Sequence, residues 1–432
     1  MNDLIIRQAR VVDPGGPHHD AETDILVKDG RVARIGNRIP AGDAQEVKQP
    51  GLHVSPGWVD LRAHFRDPGE EWKQGVANGL DAAAAGGFTA VAVLPSTEPP
   101  TDGRSGIEYL LRKGQGHAVR LLPIGAITKG LKGKELAELH DQRTAGAVAF
   151  SDDQYPLRNS RLMLLALQYA NGLPGQTGPV MVYPSDADLC ARGQMHEGHM
   201  NARLGLRGLP AMAEAIQLAR DLALLEYAGG HLHAATISTA EAVELVRQAK
   251  ARKLRVTASV AAYNLLLDDG CLRGFESCYK VMPPLRDAHH IEALREGVKD
   301  GTIDAIVSDH RPEDREHKVV EFGQAAFGII GLDSCFAVAN SALKGRMSLR
   351  RLIERFTHGP RAVLGLPRVH VEEGASELTL FDPEVAHVLH EEDLTSRSHN
   401  TPFIGQPFTG RPVGIVSGGQ VVLRQAATAA TR

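Results

Sequence analysis

Short apolar runs alternate with longer amphipathic stretches through the middle of this 432-residue chain. From residue 56 onward the short runs have the character of buried strands, and candidate helices lie between them. The runs are WVDLRAHF, FTAVAVL, VRLLPIGAI, GAVAF, PVMVY, HLHAATI, LRVTASV and DAIVSD. Strands that alternate with helices eight times are typical of a TIM barrel. The pattern therefore predicts an α/β fold with a barrel over residues 56–369.

The two ends of the chain have a different pattern, in which apolar and polar positions alternate as in half-buried strands. Each end is too short to bury a core by itself. The runs are LIIRQARVVD and DILVKDGRVARIG near the start, then ELTLFD, GRPVGIVSGG and QVVLRQ near the finish. We therefore predict one small β-sandwich domain made of residues 1–55 and 370–432. Two separate β domains are the less favoured alternative.

Composition excludes several classes of protein. The formal net charge is -4 and basic residues are interspersed with acidic ones, so no nucleic-acid surface is predicted. No apolar run approaches the length of a membrane span, and the first residues lack the features of a signal peptide. The four cysteines form no Cys-x-x-Cys pair and are predicted to be free thiols. We expect a cytoplasmic protein that binds neither nucleic acid nor membrane.

Candidate chemistry lies where the predicted barrel strands end, because a TIM barrel carries its active site at the C-terminal ends of its strands. A hydrolytic zinc site needs about three protein ligands and an open position for water. The polar residues at these ends are Arg62, His64, Arg66, Ser96, Asp152, Asp153, Tyr183, Thr236, Asp309 and His310. This set could hold one zinc ion, but it has too few histidines for a binuclear site.

Longer segments resemble class I dihydroorotases, of the cyclic amidohydrolase branch of the amidohydrolase superfamily. Together they are far more specific than any single motif. The segments are PGWVDLRAHFRDPG, GGFTAVAVLPSTEPPTD, GAITKGLKGKELAEL, GAVAFSDD, LGLRGLPAMAEA, YKVMPPLRD, SDHRPED, FGIIGLDS and NTPFIGQPFTG. The resemblance implies an amidohydrolase-type barrel with a β-sandwich domain. It also implies hydrolysis or closure of the dihydroorotate ring with one or two zinc ions.

The ligand positions implied by the resemblance are only partly retained. The family motif Asp-x-His-x-His has Arg62 in place of its first histidine. Two further family histidines are replaced by Tyr183 and Thr236. The residual metal positions are His64, one of the pair Asp152 and Asp153, and Asp309. Six ligand positions thus reduce to three, and every loss is a histidine.

The substrate positions implied by the resemblance have also changed. Arg66, which in the family binds the substrate carboxylate, is retained, but its partner asparagine is Ser96. A family histidine after the last barrel strand is Glu313, which would place a negative charge beside an anionic substrate. Asp309 keeps the position of the family's catalytic proton shuttle, and we predict that it is idle. These changes resemble those of a noncatalytic pseudo-dihydroorotase.

An arginine at a lost ligand position has a physical explanation. Without zinc, the remaining carboxylates would face one another in a partly buried cavity, where unpaired charges are costly. A guanidinium is always charged and donates through a planar fork. We therefore expect Arg62 to be an internal counterion for Asp309 and for the pair Asp152 and Asp153.

Two functions follow from these residues. In the first, the chain is a catalytically inactive dihydroorotase-like protein of de novo pyrimidine biosynthesis that uses no cofactor. As the resemblance implies, it would form an oligomer with the aspartate transcarbamoylase catalytic subunit as a structural partner. In the second, it is an active dihydroorotase or related cyclic amidohydrolase, with His64 as a ligand of a single zinc ion and Asp309 as general base or acid. The three lost histidines favour the first function, because catalysis requires a held and polarised water.

Overall fold

A computed structural model describes residues 3–174 and 178–424. The strands are β1 (Leu4–Val11), β2 (Glu22–Lys28), β3 (Arg31–Gly36), β4 (Gln45–Val47), β5 (His53–Pro56), β6 (Trp58–Ala63), β7 (Phe88–Val93), β8 (Arg120–Gly125), β9 (Ala149–Ser151), β10 (Val180–Val182), β11 (Met195–His196), β12 (Gly208–Leu209), β13 (Leu232–Ala234), β14 (Val256–Ala261), β15 (Ala305–Val307), β16 (Leu378–Val388), β17 (Pro407–Ser417) and β18 (Gln420–Leu423).

The α-helices lie mainly between the central strands, as the alternating pattern predicts. They are α1 (Val76–Ala85), α2 (Arg104–Lys113), α3 (Leu139–Ala145), α4 (Ser160–Asn171), α5 (His199–Leu204), α6 (Ala211–Ala228), α7 (Ala240–Ala251), α8 (Ala288–Asp300), α9 (Arg315–Lys318), α10 (Cys335–Leu343), α11 (Leu349–Glu354) and α12 (His358–Leu364).

Eight parallel strands, β6 to β10 and β13 to β15, pair in the order in which they occur in the chain. A parallel bridge between Ala63 and His310 brings the last strand back to the first. The backbone N–H of His64 also donates to the carbonyl of His310 at 2.8 Å. The eight predicted runs therefore form a TIM-like barrel, which confirms the predicted fold class.

The strands of the two termini form one mixed sheet, in the order β18-β17-β16-β5-β1-β2-β3, with β4 paired to β1. Its own apolar core includes Leu4, Ile6, Val54, Leu378 and Leu380. The prediction that strands from both ends of the chain come together is confirmed, and hydrogen bonds join all eight strands into one continuous sheet. The proposed division at residues 55 and 370 remains a prediction.

Trp58 joins the terminal sheet to the barrel. Its ring centroid lies 4.7 Å from that of Phe336 and 5.3 Å from those of both Phe356 and Phe381. Phe381 belongs to β16, so this aromatic cluster crosses between the two parts of the chain. Because Trp58 begins β6, the sheet covers the N-terminal end of the barrel strands and leaves their C-terminal ends free for a site.

Two further predictions can be compared with the described residues. None of the helices in residues 3–174 and 178–424 is both long enough and apolar enough to cross a membrane. The cysteines Cys190, Cys271, Cys278 and Cys335 are free thiols, as predicted.

Candidate functional site

Most of the predicted site residues lie together at the C-terminal mouth of the barrel. Strand β6 supplies Arg62, and His64 follows its end, so alternation along an extended chain puts both side chains on one side. Asp153 follows β9, Asp309 follows β15, and Ser96 comes from the loop after β7. Apart from the half-buried Ser96, these side chains are buried.

The guanidinium of Arg62 lies between two carboxylates. Its Nε donates to Asp309 Oδ1 and its Nη2 donates to Asp153 Oδ1, both at 2.6 Å. The ring of Tyr183 faces the same group, with 5.9 Å between its centroid and the Arg62 Cζ atom. Two of the three positions at which the resemblance implies a lost ligand therefore supply a cation and an aromatic surface for it. The expected internal counterion is confirmed by this geometry.

Two residues that sequence reasoning missed complete the charge balance. Arg311 Nη2 donates to Asp153 Oδ2 at 2.7 Å, and the hydroxyl of Tyr263 donates to Asp309 Oδ2 at 2.6 Å. Two carboxylates thus face two guanidiniums, and the group is neutral without any further ion. Arg311 directly follows Asp309 and His310, and Tyr263 lies two residues after the end of β14, so both belong to the strand-end positions where a barrel carries its site.

The two acids of this cluster differ in electrostatic environment. Burial raises the pKa of Asp153, but the positive charges of Arg311 and Arg62 and the hydrogen bond with His64 outweigh it and hold that pKa well below its ordinary value. Burial also raises the pKa of Asp309, and Arg62 and Arg311 offset it only in part, so the pKa remains raised. The fold therefore favours the charge of Asp153 more strongly than that of Asp309.

His64 is held in its neutral form at this site. Burial, reinforced by the positive charge of Arg311, lowers its pKa to about 3. Its Nε2 lies 2.8 Å from Asp153 Oδ2 and 2.7 Å from Arg311 Nη2, and it can donate to the first or accept from the second. Ser96 Oγ donates to the same Asp153 oxygen at 2.6 Å. His64, a predicted metal ligand, is therefore part of a hydrogen-bond network with other side chains of the protein.

Asp152 does not belong to this cluster, which corrects its inclusion among the residual metal positions. Its Oδ1 accepts from the backbone N–H groups of Ile127 at 2.8 Å and Thr128 at 2.9 Å. The Thr128 hydroxyl donates to Oδ2. The sequence could not show which of the two adjacent aspartates belongs to the site, because the turn after β9 determines which side chain points into the mouth. The structure selects Asp153.

Four non-glycine residues at the mouth have left-handed backbone conformations. The φ angle is 57° at Arg66, 53° at Asp153, 52° at Thr236 and 44° at Asp309. Such conformations cost energy and persist where the surroundings enforce them, most often at functional sites. The backbone of a site is therefore retained, although Thr236 now offers only a buried hydroxyl without a hydrogen-bond partner.

The mouth does not fit a catalytic zinc ion in this arrangement. Arg62 already bridges the two acids that would serve as ligands. A dication added to this balanced group would bring two uncompensated positive charges close to two guanidiniums. Among the described residues, two other groups have the composition and spacing of metal sites. They are Asp13 with His358 and His370, and His196 with Asp287 and His290.

Arg66, predicted to bind substrate, is engaged with acidic side chains. Its Nη1 donates to Glu70 Oε2 at 3.0 Å, and its Nη2 donates to Glu313. Lys73 Nζ donates to the same two acids, at 2.6 Å to Glu70 and 2.8 Å to Glu313. This second group also has two positive and two negative charges. Ser96, the other predicted substrate residue, is likewise engaged, with Asp153.

Comparison with known proteins agrees with the fold and with the family resemblance. A family profile described as dihydro-orotase-like matches residues 51–242. The chain is 41% identical over 425 residues to a dihydroorotase from Pelotomaculum thermopropionicum, with 98% of each chain covered. It is 42% identical over 431 residues to a dihydroorotase from Anaeromyxobacter dehalogenans, again with 98% of each covered.

Solved structures show the same architecture. L-hydantoinase (dihydropyrimidinase) from Arthrobacter aurescens superimposes with a TM-score of 0.83 at 25% identity, covering 99% of this chain and 97% of that one. D-hydantoinase (dihydropyrimidinase) from Thermus sp. has a TM-score of 0.80 at 20% identity, with coverages of 98% and 95%, and supports the fold alone. With two relatives above 40% identity over almost its whole length, this chain belongs to the dihydroorotase family of the amidohydrolase superfamily.

Proposed function

We propose that this chain is a catalytically inactive, cytoplasmic member of the dihydroorotase family that serves de novo pyrimidine biosynthesis as a structural partner. One observation carries the proposal: the Arg62 fork joins Asp153 and Asp309, each at 2.6 Å. A metal ion that activates water between these acids would require Arg62 to break its hydrogen bonds to both carboxylates. That movement would leave a buried guanidinium to find new partners.

The arrangement around Arg66 supports the same proposal. A substrate carboxylate would have to compete with Glu70 and Glu313 for the guanidinium, and Glu313 would repel it. Arg66, at the position where the resemblance implies binding of an anionic ring, is thus already paired with acidic side chains.

The proposed partner is the aspartate transcarbamoylase catalytic subunit, in a shared oligomer. This part of the proposal rests on the resemblance to pseudo-dihydroorotases. The side chains at the barrel mouth are paired with one another. A fold without a working catalytic site can still act as a scaffold, since function resides in particular sites and not in the fold as such.

One preparation tests both parts of the proposal. The zinc-supplemented protein, made with and without co-expressed aspartate transcarbamoylase, is assayed for opening and closure of the dihydroorotate ring. The Pelotomaculum relative is assayed in parallel as the active control. We expect no turnover above the uncatalysed rate and co-elution with the transcarbamoylase.

Two results would contradict the proposal in different ways. Turnover that Asp309→Asn abolishes would refute catalytic inactivity. Separate elution, with transcarbamoylase activity and assembly unchanged by this chain, would refute the partnership.

The second candidate function is an active dihydroorotase or related cyclic amidohydrolase with one zinc ion. The specific support is that the relatives at 41% and 42% identity are dihydroorotases by name. His64, Asp153 and Asp309 would then hold the metal after Arg62 had moved aside. The same assay decides between the two functions.

A further inference from the structure

A second group of potential ligands lies where the terminal sheet meets the barrel. Asp13 follows β1, His358 begins α12, and His370 precedes β16. The carbonyl of Phe356, two residues before His358, accepts from the backbone N–H of Val59 at 2.8 Å. This contact places the group beside the first residues of β6, at the end of the barrel opposite the mouth.

The spacing of these side chains suits a four-coordinate metal ion. Asp13 Oδ1 lies 3.1 Å from His370 Nδ1 and 3.4 Å from His358 Nε2. One ligand atom from each residue lies within 4.8 Å of the other two. Zinc bonds of about 2.0–2.1 Å in tetrahedral geometry separate ligand atoms by about 3.3 Å. Small side-chain movements would therefore bring all three atoms onto one ion.

His358 supplies independent support for a ligand at this position. Its side chain is only 9% exposed, and neither ring nitrogen has a hydrogen-bond partner. A buried imidazole without partners is costly, and most buried polar groups have one. His358 Nε2 lies 3.4 Å from Asp13 Oδ1, but the geometry of that contact does not make a hydrogen bond. A metal ion bound at Nε2 would satisfy that nitrogen.

Asp13 is held in position for such a role. Its side chain is fully buried, and its Oδ2 accepts from the backbone N–H of Val371 at 2.7 Å. That bond leaves Oδ1 directed toward the two histidines. A Cβ atom at position 16 would lie 2.0 Å from Oδ2, so Gly16 leaves the space that the carboxylate occupies.

The other histidine group is a weaker candidate. Arg286 Nη1 lies 3.0 Å from His196 Nδ1, so a fixed cation already stands beside it. Its carboxylate, Asp287, is 50% exposed. The group around Asp13 combines full burial of the acid with an unsatisfied histidine.

We propose that Asp13, His358 and His370 bind one structural divalent transition-metal ion, of which zinc is the best match, with water as the fourth ligand. Neutral imidazoles and a carboxylate are the ligands that zinc prefers. The ion would link the terminal sheet to α12 of the barrel. It lies away from the mouth and has no part in the chemistry considered there.

Metal analysis of the full chain tests the proposal. The purified protein is equilibrated with zinc, freed of excess metal by gel filtration and analysed by mass spectrometry. We expect stoichiometric zinc in the wild type, loss of that zinc in His358→Gln/His370→Gln, and retention in two controls. The controls are His64→Gln at the mouth and His196→Gln/His290→Gln at the other group.

Cobalt substitution tests the site without any mutation. Cobalt bound by the wild type is expected to give the visible absorption bands of a four-coordinate site. Added zinc should displace the cobalt, and the bands should then disappear. Only trace zinc in the wild type, or the absence of these bands, would overturn the proposal. So would zinc that persists in folded His358→Gln/His370→Gln or is lost in His64→Gln.

Discussion

Replacement of Arg62 by methionine is expected to lower the free energy of unfolding by about 3–5 kcal/mol. Methionine fills a similar volume but carries no charge, so Asp153 and Asp309 would face each other in a buried site. Arg62 is only 2% exposed, and each of its two carboxylate contacts is 2.6 Å long. Removal of one partner from such a group leaves an uncompensated charge that water cannot reach. Urea denaturation at neutral pH measures the effect.

Arg104→Met is the matched control for this experiment. Arg104 contacts Glu108 at 3.3 Å, but both side chains are nearly half exposed, at 48% and 46%. Exposed pairs contribute at most about 1 kcal/mol. Adding Asp309→Asn to Arg62→Met should recover part of the lost free energy of unfolding, because one of the two unpaired carboxylate charges is then removed. If Arg62→Met is as mild as Arg104→Met, Arg62 is not the counterion of this site.

Asp153→Asn is expected to destabilise the protein by several kcal/mol, and Asp309→Asn by much less. Asp153 accepts from Arg62 and Arg311, and its lowered pKa means that the fold stabilises its charge. Asp309 accepts from Arg62 Nε and from the hydroxyl of Tyr263, and its pKa is raised. An asparagine oxygen at position 309 can still accept from that hydroxyl.

The measurement compares the two variants by urea denaturation at pH 7. The lowered pKa of Asp153 provides stability that is present above the ordinary aspartate pKa and is lost as the pH falls through the folded-state value. At pH 7 the full difference is therefore present. Equal losses in the two variants, or a greater loss in Asp309→Asn, would contradict the asymmetry of the site.

The fold could be predicted from the sequence because the same hydrophobic pattern recurs along the chain. Eight apolar runs separated by helical stretches define the barrel, and alternating runs at both ends define the terminal sheet. The role of Arg62 was also accessible, since an obligate cation among carboxylates has few alternatives in a buried site. Each of these inferences needs only local pattern and general electrostatics.

The remaining features depend on loop geometry that sequence does not specify. The choice of Asp153 over Asp152 follows from one turn after β9. Arg311 reaches Asp153 across 158 positions of the chain, and Glu313 reaches Arg66 across 247. The group of Asp13, His358 and His370 joins segments that no local motif connects. These contacts are tertiary and become visible only once the barrel is closed.

The two balanced groups at the mouth compensate the buried charges there. Arg62 and Arg311 neutralise Asp153 and Asp309, while Arg66 and Lys73 neutralise Glu70 and Glu313. Charged groups in low dielectric are tolerated when they are paired and hydrogen-bonded. Each group satisfies that condition with side chains of the protein itself.

The central claim is that Arg62 takes the place of a metal at the barrel mouth. Crystals grown with zinc and measured at the zinc absorption edge test it most directly, because an anomalous difference map locates every bound ion. We expect Arg62 still to donate to both Asp153 and Asp309, with no anomalous peak between them. A peak coordinated by His64, Asp153 and Asp309, with Arg62 turned to solvent, would contradict it.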